Sequence, residues 1–150
     1  MTPEVNASIS LRAVTELPPE ISSLAARASA EGFTFGQRLT DEWREGGNRF
    51  DRHGEVFFCA WMGDRLVGFG GLSCDPYSLS PEEGRVRHVY VDAAHRQRGV
   101  GRVLLEAIVA RARPSFERLR LSTQQAAPFY ERLGFEPVDE VKATHALELR

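Results

Sequence analysis

Seven consecutive residues, Arg96-Gln97-Arg98-Gly99-Val100-Gly101-Arg102, combine three guanidinium groups with two glycines. Just before them, Val86, Val89, Tyr90 and Val91 are β-formers in a short run ending at Asp92. Just after them, Val103, Leu104, Ala107 and Ile108 recur at the spacing of one helical face. A helix start leaves its first N–H groups without partners, and the helix dipole adds about half a positive charge there. Glycines at 99 and 101 would keep those donors approachable, and Arg96, Arg98 and Arg102 add full charge around them. This suits a diphosphate. The same residues also fit an ordinary strand-to-helix turn carrying solvated arginines. Two standard phosphate motifs are excluded: there is no Gly-x4-Gly-Lys-Ser/Thr loop, and the third glycine of a dinucleotide fingerprint is missing.

The elements that must position this turn are readable on both sides of it. Ser8 to Val14 alternates apolar and polar residues as a first strand. Pro18-Pro19-Glu20 opens a helix through about Ala30, and a short second helix is expected over Thr40 to Glu45, before Gly46-Gly47. Glu55 to Met62 and Arg65 to Leu72 form a hairpin whose second strand, with Gly68, Gly70 and Gly71, signals a bulge or a close backbone approach. After the turn-rich segment Asp75 to Glu83 come the central strand and helix, then a fifth strand over Arg118 to Thr123. A helix over Ala126 to Leu133 and a closing pair of strands, Phe135 to Val138 and Thr144 to Leu149, complete the chain. The fold expected is mixed α/β: one domain over residues 1–150, a mostly antiparallel sheet with helices on both faces. The fourth and fifth strands should be its parallel pair, because a helix crosses between them.

Composition narrows the function classes. The chain has 150 residues, 42% hydrophobic and 27% charged, enough for one cored domain. A net charge of −2 gives no global pull toward nucleic acid or anionic membrane. Cys59 and Cys74 are the only cysteines and have no metal-ligand spacing with the four histidines. The polar segment Met1 to Ser10 has no signal-peptide core, and no apolar run approaches a membrane span. A reduced, cytoplasmic setting is the expectation.

The pattern Gln/Arg-x-x-Gly-x-Gly/Ala, filled by Arg96, Gly99 and Gly101, resembles the turn of the GNAT superfamily of acyl-CoA-dependent N-acyltransferases. The resemblance extends to Ala126-Ala127-Pro128-Phe129-Tyr130-Glu131-Arg132-Leu133-Gly134-Phe135, which matches the family's A-x-x-F-Y-x-x-x-G-F segment at about the usual distance. It covers residues 55 to 138 well and the first fifty loosely. It implies acetyl-CoA as co-substrate and an amine acceptor, on a small molecule or a peptide. It also implies splayed fourth and fifth strands, with the backbone of Val89, Tyr90 and Val91 along the pantetheine arm and Gln97 to Arg102, Val100 included, around the diphosphate.

Tyr130 stands where the family's tyrosine sits by the CoA sulfur, so it is the candidate acid for the leaving thiolate; otherwise it is a packed helix tyrosine. A phenol with a pKa of ~10 keeps its proton at neutral pH and can still donate it. For the base, Glu55, His88, Asp92 and a water relay all remain open; an unperturbed histidine near pKa ~6.5 suits proton uptake. Where many family members carry an asparagine that contacts CoA, this chain has Thr123. Acceptor selectivity in the family comes from the first two helices, their loop and the last hairpin, which here means Phe33, Phe35, Trp43, Asn48, Arg49, Phe50 and His145. Arg49 offers a bidentate fork for a carboxylate. Homodimers are common in the family, and Trp43, Trp61 and the closing strands offer surface for one. A non-catalytic acyl-CoA sensor is the alternative function, and an arginine-based nucleic-acid module a third.

Overall fold

The computed structural model describes residues 8–149; residues 1–7, most of the polar opening segment, and Arg150 lie outside them. Seven strands form one sheet in the order β1-β2-β3-β4-β5-β7-β6. They are β1 Ile9–Ala13, β2 Val56–Met62, β3 Arg65–Cys74, β4 Glu83–Val91, β5 Arg118–Leu121, β6 Glu136–Glu140 and β7 Ala143–Glu148. Every neighbouring pair is antiparallel except β4 with β5. The mixed, mostly antiparallel sheet expected from the sequence is therefore the sheet observed.

Four helices cover it: α1 Ile21–Ala30, α2 Phe35–Glu45, α3 Val100–Ala112 and α4 Ala127–Arg132. Leu104, Leu105 and Ile108 of α3 pack with Val56, Val67, Leu72, Val86, Leu119 and Tyr130 on one face. On the other, Leu24 of α1 and Leu39 and Trp43 of α2 pack on Phe57, Phe69 and Tyr90. This alternation along each strand lets one sheet bury both faces.

Helix α2 begins at Phe35, five residues before the start expected from Thr40. The reason is tertiary. A Cβ on Gly36 would lie 2.9 Å from the Ala25 carbonyl oxygen, so the residue that reads as a breaker is where α2 crosses close to α1. Trp43 and Trp61, expected as surface for a dimer, are both core residues at 8% exposure. The terminal strand β6 carries Glu136, Pro137, Asp139 and Glu140, and charge and proline are residues that blunt an edge. No described helix is long and apolar enough to cross a membrane.

Candidate active site

Strands β4 and β5 pair only from Glu83–Arg118 to Arg85–Arg120. Beyond Arg85 the β5-facing edge of β4 has no strand partner, and the two strands part. In the same stretch β4 loses register with β3: Phe69 pairs with Tyr90 but Gly71 with Arg87, leaving one extra residue on β4. That residue is absorbed by His88, which takes φ +59. The bulge turns His88 onto the α1/α2 side, where its ring meets Phe35 and Phe50 at 5.6 and 6.0 Å. Val89 and Val91 pack on the α3 side and Tyr90 on the other.

The open edge runs into the arginine–glycine turn. Arg96 N–H closes a short 3-10 turn onto Ala93, and Val103 N–H is the next to bond, to Gly99. Between them, the backbone N–H groups of Gln97 to Arg102 have no hydrogen-bond acceptor among the described residues. Gly99 caps α3 with φ +87, and a Cβ there would meet nothing within 4 Å. Gly101 has a different role from the one expected. A Cβ on it would lie 3.1 Å from the Phe129 ring, so its clearance admits α4.

The positive charge is less free than the sequence suggests. Arg96 reaches back to the Val91 carbonyl (3.0 Å) and to Glu31 (2.6 Å), while Glu31 also accepts from the Tyr90 hydroxyl at 2.9 Å. The Arg96 bond lowers the Glu31 pKa. Burial, with Glu31 adding to it, pushes the Tyr90 phenol up to about 12. Arg102 pairs with Glu106 one turn along the helix, and Arg98 is exposed and, among the described residues, without an ion-pair partner.

Tyr130 lies on the α3 side, 7% exposed, between Phe129 and Phe135 at centroid distances of 5.0 and 5.6 Å. Burial raises its pKa, so the phenol stays protonated through the neutral range. The helix that carries it is fixed by a relay of polar contacts. Ala126 N–H donates to Thr123 Oγ1, and Thr123 N–H donates to Thr144 Oγ1. Thr144 Oγ1 lies 2.9 Å from His145 Nδ1, and His145 Nε2 lies 2.9 Å from Glu131. Thr123 thus fixes the turn that leads into α4. His145, expected to face an acceptor, instead joins β7 to α4.

The proton acceptors expected from sequence are constrained. Asp92 is buried at the end of β4, where its carboxylate meets Arg27 and His95 at 3.2 Å and its N–H bonds Val67. Both Glu55 oxygens accept backbone N–H groups, of Arg52 (3.1 Å) and of Cys74 (2.9 Å). His88 departs most from expectation. Desolvation, aided by the charges of Arg87, Arg38 and Arg85, pushes its pKa down to about 3, and its buried Nε2 has no hydrogen-bond partner among the described residues. It stays neutral at physiological pH and does not titrate near 6.5 there.

That shift makes a stability prediction. An unfolded chain protonates this imidazole near pH ~6.5, whereas the folded chain does so only near 3. Between those values the unfolded state binds more protons, so stability must fall as the pH drops, by about 1.4 kcal/mol per pH unit at the steepest. His88→Asn, chosen because asparagine tolerates the left-handed backbone, should flatten that slope in urea titrations between pH 4 and pH 6. An unchanged slope would place the titration elsewhere.

Opposite the α3 side, α2, the start of β2 and the β3–β4 connection enclose a cavity of about 230 Å³. Arg38, Glu42, Asn48, Arg52, Glu55 and Arg87 are among its lining. Two residues expected to select an acceptor are occupied elsewhere. Trp43 packs against Phe50 and Phe57, and Arg49 donates to the Trp43 and Arg44 carbonyls at the end of α2. Phe35 is half-buried, its ring near Phe33, Phe69 and His88. Arg38, Glu42 and Arg87 were not singled out from the sequence. The available signal was weak: Arg38 and Glu42 are one helical turn apart, and Arg85 and Arg87 alternate along a strand.

An open strand edge ending on free N–H donors at a glycine-bearing helix start could seat an extended, phosphate-bearing ligand across the sheet. The family model for the acetyltransferase (GNAT) domain matches residues 53–137. This chain belongs to that family. Among curated proteins it is similar to the uncharacterized N-acetyltransferase YsnE of Bacillus subtilis, 33% identical over 88 residues, which are 54% of this chain and 56% of that protein. It is also similar to the glucosamine 6-phosphate N-acetyltransferase of Trypanosoma brucei brucei, 29% identical over 52% of this chain and 56% of that one. The chain thus spans a little over half the length of these curated relatives. Among solved structures, a candidate acetyltransferase from Exiguobacterium sp. 255-15 superposes with a TM-score of 0.84 at 33% identity, covering 94% of this chain and 93% of that one. The N-acetylglutamate synthase of Neisseria gonorrhoeae, complexed with coenzyme A and N-acetyl-glutamate, shares the fold with a TM-score of 0.71 at 18% identity, over 97% of this chain and 36% of that one.

Proposed function

We propose that this protein is an acetyl-CoA-dependent N-acetyltransferase acting on a primary amine. The observation that carries this reading is the continuity of the open β4 edge with the row of N–H groups from Gln97 to Arg102. An extended arm lying along Val89 to Val91 would have its diphosphate at the start of α3, where donors, dipole and Arg98 favour negative charge. Acetyl-CoA supplies the acetyl group already activated as a thioester.

The chain's own residues then divide the remaining tasks. A backbone N–H on the open edge of β4 can donate to the thioester oxygen as negative charge develops there. Tyr130, protonated and held by α4, donates its proton to the departing sulfur. The amine enters from the α1/α2 side, because the donor fills the gap on the other. With His88 neutral and Glu55 bonded by two N–H groups, the amine proton leaves through water. The two cysteine thiols, unpaired with each other, fit a reduced cytoplasmic setting.

The test is a panel of primary amines assayed for CoA release, with mass detection of an acetylated product. A product carrying one added acetyl group is expected. Release that stays at the buffer rate while acetyl-CoA still binds would assign the protein instead to sensing acyl-CoA.

A further inference from the structure

Three arginines line the α1/α2-side cavity, Arg38 and Arg52 exposed and Arg87 half-buried. The guanidinium groups of all three lack hydrogen-bond, ion-pair or ring partners among the described residues. Elsewhere on the same face of the sheet arginines are paired. Arg120 bonds Asp75 at 2.7 Å, Arg118 bonds Glu83, Glu140 and Glu148, and Arg85 bonds the Lys142 carbonyl. Glu55, one acid of the lining, accepts two backbone N–H groups. The other acid of the lining, Glu42, has a buried Oε1 with no partner. The cavity lining therefore carries three unpaired cations and two carboxylates, one of which has an unsatisfied oxygen.

Unpaired guanidinium groups lining a concave site can recognise phosphate or carboxylate, which accept their forked donors two at a time. We infer that the amine accepted by this protein is a small anionic amine, whose phosphate or carboxylate group is held by Arg38, Arg52 and Arg87. This rests on the acetyl-transfer reading, since the cavity lies on the side from which the amine would approach. The strand sets the scale. Arg87 is two residues from Val89, at most about 7 Å apart along the bulged strand, so amine and anion belong to one compact molecule. Glu42 supplies an acceptor for a hydroxyl or ammonium of the same ligand. A neutral amine would leave three cations unmatched in the site, and a polyamine would meet like charge.

Two measurements test this separately from acetyl transfer. In the first, inorganic phosphate is titrated calorimetrically into CoA-saturated protein, so that the diphosphate site is already filled. Binding is expected in the wild type and should weaken at least tenfold in Arg87→Gln and in Arg38→Gln, with Arg87→Lys recovering part of it. Failure of phosphate to bind the CoA-saturated wild type, or equal binding in both glutamine variants, overturns the proposal. In the second, kcat/KM is compared within pairs that differ only in the anion: glucosamine 6-phosphate against glucosamine, and glycine against glycinamide. A preference of tenfold or more for the charged member of at least one pair is expected, collapsing toward one in Arg87→Gln. Equal rates within both pairs would overturn the anionic acceptor while leaving N-acetyltransfer intact. If acetyl-CoA fails to bind, the transfer reading falls, and phosphate titrated into free wild type and Arg87→Gln still decides the arginine site.

Discussion

Tyr130→Phe is expected to lower kcat by about 10²- to 10⁴-fold while leaving the Kd for acetyl-CoA nearly unchanged. The substitution removes one oxygen from a side chain that is otherwise held by Phe129 and Phe135, so the ring and α4 should keep their places. Burial raises the Tyr130 pKa. In the proposed mechanism the group therefore enters as a proton source, and its loss would be felt when the thiolate departs. Because the interaction is made only as the sulfur gains charge, kcat and kcat/KM should fall together. Stopped-flow measurement of CoA release, with calorimetry of acetyl-CoA binding on the same sample, separates the two effects. A loss of less than about threefold would transfer the proton to water.

Asp75→Ala should produce the largest loss of stability, about 3–5 kcal/mol. Asp75 is buried below Arg120, which donates to it at 2.7 Å, and beside Arg85 at 3.6 Å, both with less than a tenth of the side chain exposed. Hydrogen bonding to Asp75 raises the Arg120 pKa, while burial lowers that of Arg85. Deleting the carboxylate leaves two guanidinium groups inside the protein, each already carrying a buried nitrogen with no hydrogen-bond partner. For a chain of this size the expected fall in Tm is on the order of 6–20 °C. A scanning-calorimetry shift under 3 °C would show that Glu83 and Glu140 compensate. The position matters because these residues clamp β4 to β5 where the pairing ends, and so set where the two strands begin to part.

The sequence readings that held were the local ones. The run from Val86 to Arg113 is a strand, turn and helix because each part is determined by neighbours within a few residues: β-branched side chains, then glycine, then a 3.6-residue apolar period. The family resemblance and the mixed sheet followed from the same stretch together with the segment around Tyr130. What escaped was set by contacts distant in the chain. The start of α2 depends on Gly36 meeting Ala25, and the orientation of His88 depends on a slip between β3 and β4. Trp43, Arg49 and His145 have the residue types of a binding site. Yet a tryptophan builds a core as readily as a pocket wall, and an arginine can cap a helix as readily as hold a carboxylate. Residue type fixes what a side chain can do, not the direction in which it points.

The latch of Arg96, Glu31 and Tyr90 bears on the timing of an entropy cost. It ties the turn before α3 to the end of α1 and to β4 with bonds of 2.6 and 2.9 Å before any ligand arrives. Fixing the backbone of a mobile residue costs about 1–2 kcal/mol, so a slack loop of six residues would subtract several kcal/mol from every binding event. Here that ordering is completed once, during folding. A ligand bound as proposed would meet donors already in place, with nearly all of the attraction they offer left to hold it.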